Sequence, residues 1–188
     1  MVATSTVERE STRLRLSDPT VWTFAQLLVN VLGVSVTNFT VWFAITFFVY
    51  LQTGSVLATG VISGLFLVLT TLTGIWFGSI VDHHRKKTVM QASAAVSLGF
   101  YTASLVLYLA TPAREWTNPA SVRLWVLITL LMLGVIVGNL RSIALPTVVT
   151  ALFEASRRDR ANGMVGTTSG VSFLVTSVIS GLLVGAGG

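Results

Sequence analysis

The 188-residue sequence contains no cysteine, and charged residues make up only 10% of it. Without cysteine the chain can form no disulfide and can carry out no thiol chemistry. No charge at all falls within residues 19–81, 88–113 or 161–188. Soluble domains carry roughly 25% charged residues, whereas a helix needs about 20 mostly apolar residues to cross a bilayer. The sequence therefore predicts an all-α integral membrane protein that has the lipid bilayer as a partner.

Five long apolar runs predict a polytopic bundle of five transmembrane helices. They cover approximately residues 21–51, 56–81, 88–110, 122–145 and 162–188. Because apolar and polar residues do not alternate, helices are favoured over the strands of a membrane barrel. Residues 1–20 are polar and predict an N-terminal tail. No basic residue follows the fifth run, so we expect a fragment or incomplete gene model of a longer protein, with a native five-span protein as the alternative.

Lysine and arginine predict the orientation of these spans. Nine of them fall on one side of the predicted membrane: Arg9, Arg13, Arg15, Arg85, Lys86, Lys87, Arg157, Arg158 and Arg160. Only Arg114 and Arg123 fall on the other side. Because basic residues favour cytoplasmic loops, we expect a cytoplasmic N-terminus in a multi-pass protein of the plasma membrane. A nucleic-acid partner is not expected despite the pI of about 10.5, because the basic residues do not share one polar face.

Glycines recur at four-residue spacing within the apolar runs. The pairs are Gly60 and Gly64, Gly74 and Gly78, Gly166 and Gly170, and Gly181 and Gly185. This spacing favours close contact between membrane helices, because glycine has no side chain to hold a neighbour away.

The charged stretch "GSIVDHHRKK" separates the second run from the third. Gly78 and Asp82 are four residues apart and share one helical face. The Asp82 carboxylate can pair with Arg85, Lys86 or Lys87, or accept from a helix N-terminus. Either arrangement would be an electrostatic latch, made in one conformation and broken in another. The alternative is that the three cations only determine topology.

The same stretch resembles a signature of major facilitator superfamily transporters, Gly-x-x-x-Asp-(Arg/Lys)-x-Gly-(Arg/Lys)-(Arg/Lys), which joins their second and third helices. Four positions match it: Gly78, Asp82, Lys86 and Lys87. His83 stands where a cation is usual, and Arg85 where glycine is usual. The resemblance implies that Asp82, supported by the two lysines, holds the cytoplasmic ends of two six-helix bundles together when the outside is open.

Three further stretches are similar to the drug and siderophore exporter branch, which includes macrolide-efflux-like and enterobactin-exporter-like proteins. They are "QTGS", "LRSIALPTVVTALF" and "RANGMVGTTSG", and the similarity covers residues 20–185. It implies the N-terminal half of a twelve-span secondary exporter of small amphipathic molecules, working by alternating access with a C-terminal half as partner. The alternative is a truncated or inactive transporter remnant that acts as a non-transporting membrane protein.

Three polar residues within the spans are candidates for a solute cavity or for coupling. Arg141 is the only charge well inside a span. Many proton-coupled exporters of the superfamily that the sequence resembles have an arginine in the fourth helix that interacts with the coupling network; the alternative is an arginine that reaches back to the cytoplasmic interface. Asn30 and Asn38 are eight residues apart in the first span, so both could share a face. Asn38 is expected either to line a cavity or to form an interhelical hydrogen bond.

No catalytic or cofactor-binding pattern is found in the sequence. A phosphate-binding Gly-x-x-x-x-Gly-Lys-(Ser/Thr) motif is absent, so ATP hydrolysis within these residues is not expected. The adjacent His83 and His84 do not share a helical face, which disfavours a metal site. We therefore expect neither an enzyme, nor a cofactor, nor a bound metal. The proton is the candidate coupling ion.

Overall fold

The computed structural model describes residue 14 and residues 16–187, and within them it contains helices and no strand. The helices are α1 (Pro19–Thr53), α2 (Val56–His83), α3 (Lys86–Ala110), α4 (Val122–Gly138), α5 (Leu140–Leu152) and α6 (Ala155–Gly187). A short 3-10 helix, Ala113–Glu115, lies in the loop between α3 and α4. Because α4 and α5 form one apolar segment, five segments of the described chain are long and apolar enough to cross a membrane. The predicted all-α bundle of five spans is confirmed.

Local sequence signals place the first two helix boundaries. Asp18 caps the N-terminus of α1, where its side chain accepts a hydrogen bond of 2.9 Å from the backbone N–H of Thr20. Gly54 ends α1 in the left-handed conformation, with φ 61°, which glycine adopts without a steric penalty. Ser55 then caps α2 by accepting from the N–H of Ala58 at 3.1 Å. The stretch "QTGS" therefore reverses the chain within two non-helical residues.

The fourth and fifth spans extend beyond the apolar runs that predicted them. The fourth reaches Leu152, seven residues past the expected residue 145, and α6 starts at Ala155, seven residues before the expected residue 162. Arg158 donates hydrogen bonds to the carbonyls of Phe153 at 2.9 Å and Thr150 at 3.1 Å, which satisfies the end of α5. Residues 155–161, which the predicted spans left between the fourth and the fifth, are therefore the first part of α6. The predicted tail, residues 1–20, lies largely outside the described residues, and α1 begins within it.

Two apolar clusters fill the two ends of the bundle. The hairpin end is the end that carries the α2–α3 turn, the start of α1 and the α5–α6 junction. Its buried residues are Val21, Phe24, Leu28, Val31, Val81, Val89, Met90, Leu140, Ala144, Leu145, Val149, Phe153 and Ala161. The far end holds a second cluster: Ile45, Val49, Ile62, Trp116, Leu124, Leu127 and Ile128. Polar side chains occupy the space between them.

The glycine pairs singled out in the sequence do not mediate helix contacts in the described chain. At Gly60, Gly64, Gly74, Gly78, Gly166, Gly170 and Gly181, nothing lies within 4 Å of the position that a Cβ would take. The close contacts expected at these seven glycines are therefore not made within the described part of the chain. Two glycines of α4, Gly134 and Gly138, provide the close contacts instead.

Candidate functional site

The α2–α3 hairpin is a very tight turn at the surface of the bundle. Only His84 and Arg85 separate the two helices. The Nδ1 atoms of His83 and His84 lie 2.8 Å and 3.1 Å from the carbonyls of Ser79 and Ile80, so both rings donate to the last turn of α2. Histidine at this position therefore caps the helix C-terminus. Within the described residues no group of three metal-binding side chains includes these rings.

Asp82 lies in the last turn of α2 and is exposed. Among the described residues its carboxylate has neither a hydrogen bond nor an ion pair; the nearby Lys86 instead donates to the Asp82 backbone carbonyl at 3.4 Å. Lys86 and Lys87 occupy the first turn of α3. A carboxylate at a helix C-terminus and cations at a helix N-terminus both oppose the helix dipole. These charges therefore do not stabilise their own helices.

A polar layer crosses the bundle between the two apolar clusters. Asn38 of α1 is 5% exposed and accepts a hydrogen bond of 2.8 Å from the hydroxyl of Tyr101 on α3. Ser97, one turn before Tyr101, donates to the backbone carbonyl of Gly134 at 2.7 Å. A Cβ at Gly134 would lie 2.5 Å from the Tyr101 ring, and one at Gly138 would overlap the Asn38 amide. Because Gly134 and Gly138 have no side chains, α3 and α1 can approach α4 closely at these two positions.

Arg141 lies on α5, next to this layer on the side of the hairpin end. Its side chain is 9% exposed. The guanidinium donates to the side-chain oxygen of Asn30 on α1 and, at 3.2 Å, to the backbone carbonyl of Met90 on α3. The Nε atom is buried and has no partner within the described chain. Arg141 is therefore held inside the bundle by neutral acceptors, about one helical turn from the start of α3.

The chain is also interrupted next to the polar layer. Asn139 separates α4 from α5, and its N–H is shared between the carbonyls of Val135 at 3.1 Å and Ile136 at 3.2 Å. Such 3-10 geometry within a long helix often marks a hinge. The residue after next is Arg141, so the interruption coincides with the buried charge.

Two cavities lie along the groove between α1 and α3. One, of about 300 Å³, is lined by Asn38, Tyr101 and Arg141 together with small residues such as Gly33 and Ser97. The other, of about 340 Å³, lies toward the far end and has an apolar lining that includes Ile45, Phe48 and Leu127. Tyr101 lines both cavities. Both linings are mainly apolar; the cavity on the hairpin side also has the polar side chains of Asn38 and Arg141 in its wall, and Tyr101 lies where the two cavities meet.

An ion pair links α1 to α6 at the hairpin end. Arg157 lies 3.1 Å from the Asp18 carboxylate, and both side chains are about one-third exposed. The hydrogen bond from the Thr20 N–H, and secondarily Arg157, lower the pKa of Asp18 below its usual value of 3.8. This pair connects the cap of the first span to the first turns of the fifth.

The predicted site residues fall into two separate places. Asn38 and Arg141 line the same cavity, whereas Asn30 lies outside its lining and contacts the arginine. Asn38 contacts Tyr101 instead. The latch residues lie at the surface of the hairpin end. The sequence analysis missed Tyr101, Ser97, Gly134 and Gly138. The spacing of the two glycines was a usable signal, whereas no local pattern distinguishes Tyr101 from the other aromatic residues of the spans.

Comparison with known proteins identifies the family. The family model described as Major Facilitator Superfamily matches residues 26–188, which is most of the chain. No curated protein and no solved structure matches it. The matched region includes the five apolar helical segments, the charged hairpin and the polar layer. The chain therefore belongs to the major facilitator superfamily of membrane transporters.

Proposed function

We propose that this chain belongs to a secondary exporter of small amphipathic molecules, of the drug and siderophore branch, and that the α2–α3 hairpin is its conformational latch. The observation that carries the proposal is the state of Asp82. Its carboxylate is exposed and unpaired among the described residues, and it lies where the helix dipole disfavours it. The Asp82 carboxylate destabilises its own helix, and carboxylates contribute little to membrane topology. We therefore infer that it interacts with another part of the transporter.

The partner of this carboxylate would be a helix end or a cation of the C-terminal half of the transporter. In an outward-open state Asp82 would accept charge-assisted hydrogen bonds from that half, and in an inward-open state it would be exposed to solvent. Lys86 and Lys87 provide positive charge beside it. Gly78 leaves an open surface on the same helix, where nothing lies within 4 Å of the position that a Cβ would take.

The topology follows from the charges at the two ends of the bundle. The hairpin end carries the basic clusters of the α2–α3 turn and of early α6, whereas the far end carries Arg114 and Arg123. The hairpin end would therefore face the cytoplasm of a plasma-membrane protein. This side is where a latch must lie if it closes the inside while solute leaves to the outside.

Arg141, Asn30 and Asn38 would contribute to the solute cavity or to coupling with protons. Neither arginine nor tyrosine exchanges a proton readily near neutral pH. Proton coupling through the polar layer would therefore require a carboxylate from outside residues 14–187.

The experiment compares Asp82→Asn with Asp159→Asn in the complete transporter. Asp159 is an exposed aspartate at the same end of the bundle, in early α6, so it controls for the loss of one surface carboxylate. We expect Asp82→Asn to abolish most efflux of a fluorescent amphipathic dye while membrane insertion stays normal, and Asp159→Asn to retain efflux. Wild-type efflux from Asp82→Asn would remove the latch role.

A further inference from the structure

Arg141 carries a positive charge that no described residue neutralises. Both of its acceptors, the Asn30 amide oxygen and the Met90 carbonyl oxygen, are uncharged. A guanidinium has five N–H donors, and here Nε is buried without a partner. Burial of an ion is unfavourable unless an opposite charge or further hydrogen bonds compensate it. The charge is therefore unmatched, and because Nε is inaccessible to solvent, the donors left for a ligand are the remaining N–H groups of the two terminal nitrogens.

Space for a ligand lies directly against this charge. The cavity of about 300 Å³ on the hairpin side is lined mainly by apolar surface, with Arg141 and Asn38 in its wall, and its volume is at the lower end of the usual range for small-molecule sites. At Gly33, on the α1 wall, nothing lies within 4 Å of the position of a Cβ, so the wall leaves the space open.

None of the described polar side chains around this cavity is negatively charged, and they differ in whether their hydrogen-bond donors are already used. The hydroxyls of Ser97 and Tyr101 already donate to protein oxygens, at 2.7 Å and 2.8 Å. The Asn38 oxygen accepts from Tyr101, which leaves the Asn38 amide nitrogen as a donor without a partner in the described chain. Arg141 and Asn38 both line the cavity, so a bound anion would meet donors from α5 and α1.

We propose that Arg141 binds the carboxylate of an amphipathic monoanionic solute, and that the apolar part of this solute occupies the compartment beyond Tyr101. The planar guanidinium fork matches a carboxylate in shape, with two parallel hydrogen bonds. The adjoining apolar cavity of about 340 Å³ accommodates a hydrocarbon or aromatic group. This inference rests on the proposed function only in calling the ligand a transported solute, because binding itself requires no transport.

Three probes of one shape test the charge preference of the purified complete protein: 4-phenylbutyrate, 4-phenylbutanamide and 4-phenylbutylamine. They carry negative, neutral and positive head groups on the same tail. By calorimetric titration we expect the carboxylate to bind most tightly and the amine most weakly. Equal affinities for all three, or no binding of the carboxylate, would overturn the proposal.

Two variants locate the binding. Arg141→Gln should weaken carboxylate binding by about tenfold or more and leave amide binding almost unchanged, because only a charge-assisted pair is lost; Arg141→Lys should recover part of the affinity. Leu105→Trp, which fills the apolar compartment, should weaken the carboxylate and the amide equally. Thermal melting of each variant verifies folding.

A carboxylate side chain from elsewhere in the polypeptide is the competing counter-ion. In that case the wild-type protein would not bind 4-phenylbutyrate, and Arg141→Gln would not bind it either. Arg141→Gln would instead lower the melting temperature, and a second substitution that neutralises the acidic residue would restore it. This result would refute a solute site at Arg141 without affecting the dye-efflux test of Asp82. Wild-type dye efflux from Asp82→Asn, together with tight binding of 4-phenylbutyrate, would refute the latch and leave the solute site at Arg141 intact.

Discussion

Helix α2 and the fourth span, Val122–Leu152, are equally apolar, yet they have opposite positions in the bundle. The mean hydropathy of the most apolar 18-residue stretch is 2.0 in both. In the most apolar part of each, 6% of α2 is buried within the protein, compared with 50% of the fourth span. Lipid tails are as apolar as leucine side chains, so hydropathy alone does not decide which helix lies at the centre of a membrane protein. Contacts made by small and polar residues decide it.

The glycines of the two helices show how this difference arises. On α4, Gly134 and Gly138 face Tyr101 and Asn38, and the missing side chains bring α3 and α1 close. On α2, Gly60 and Gly64 face open space. The same residue type at the same four-residue spacing therefore has different consequences, because only α4 has hydrogen-bonding partners opposite its glycines.

The largest expected effect comes from a matched pair of leucine truncations. Leu124 on α4 is 1% exposed, whereas Leu72 on α2 is 60% exposed. We expect Leu124→Ala to lower the free energy of unfolding by about 2–3 kcal/mol, because the lost contacts leave a cavity. Leu72→Ala should change it by less than about 0.5 kcal/mol. SDS titration of the protein in detergent micelles measures both, and equal losses would contradict the assigned burial.

A glycine pair gives the next largest effect. A Cβ at Gly138 would overlap the Asn38 amide, which must then move away from Tyr101. We expect Gly138→Ala to destabilise the protein by about 1–3 kcal/mol through overpacking. Gly64→Ala adds a methyl group in open space and serves as the control, with no expected loss. If both variants melted like the wild type, α4 would not be the packing centre.

The smallest expected effect depends on pH and concerns the ion pair at the hairpin end. Because the folded state lowers the pKa of Asp18 below 3.8, the ionised carboxylate stabilises the folded state at pH values above 3.8. This contribution is lost as the pH falls through the lowered pKa. We expect Asp18→Asn to reduce the melting temperature slightly at pH 6, and we expect this difference from the wild type to shrink as the pH falls below 3.8. A difference that grows toward low pH would have the wrong sign.

The sequence predicted the positions of the helices better than it predicted where the last of them begins. Charge-free runs identify spans because charged groups are costly in hydrocarbon, and Asp18, Gly54 and Ser55 mark helix ends through local hydrogen bonds. The helical start of α6 was missed because hydropathy decreases where a helix leaves the bilayer, although the helix continues.

Within the candidate site, residues that are chemically unusual for their position could be predicted. Arg141 is such a residue, since it is a lone charge within an apolar span, and Asn38 is another. Their partners could not be predicted, because Tyr101 and the Met90 carbonyl come from a different helix. Which helix faces which depends on tertiary packing that no local pattern encodes.

The most direct test of the proposed latch uses the absence of cysteine from residues 1–188. His84→Cys places a thiol in the α2–α3 turn, where a membrane-impermeant maleimide can report its accessibility. We expect labelling in inside-out vesicles but not in intact cells, and we expect solute that favours the outward-open state to slow it. Labelling from outside intact cells, or a rate that never changes with solute, would contradict a cytoplasmic latch at Asp82.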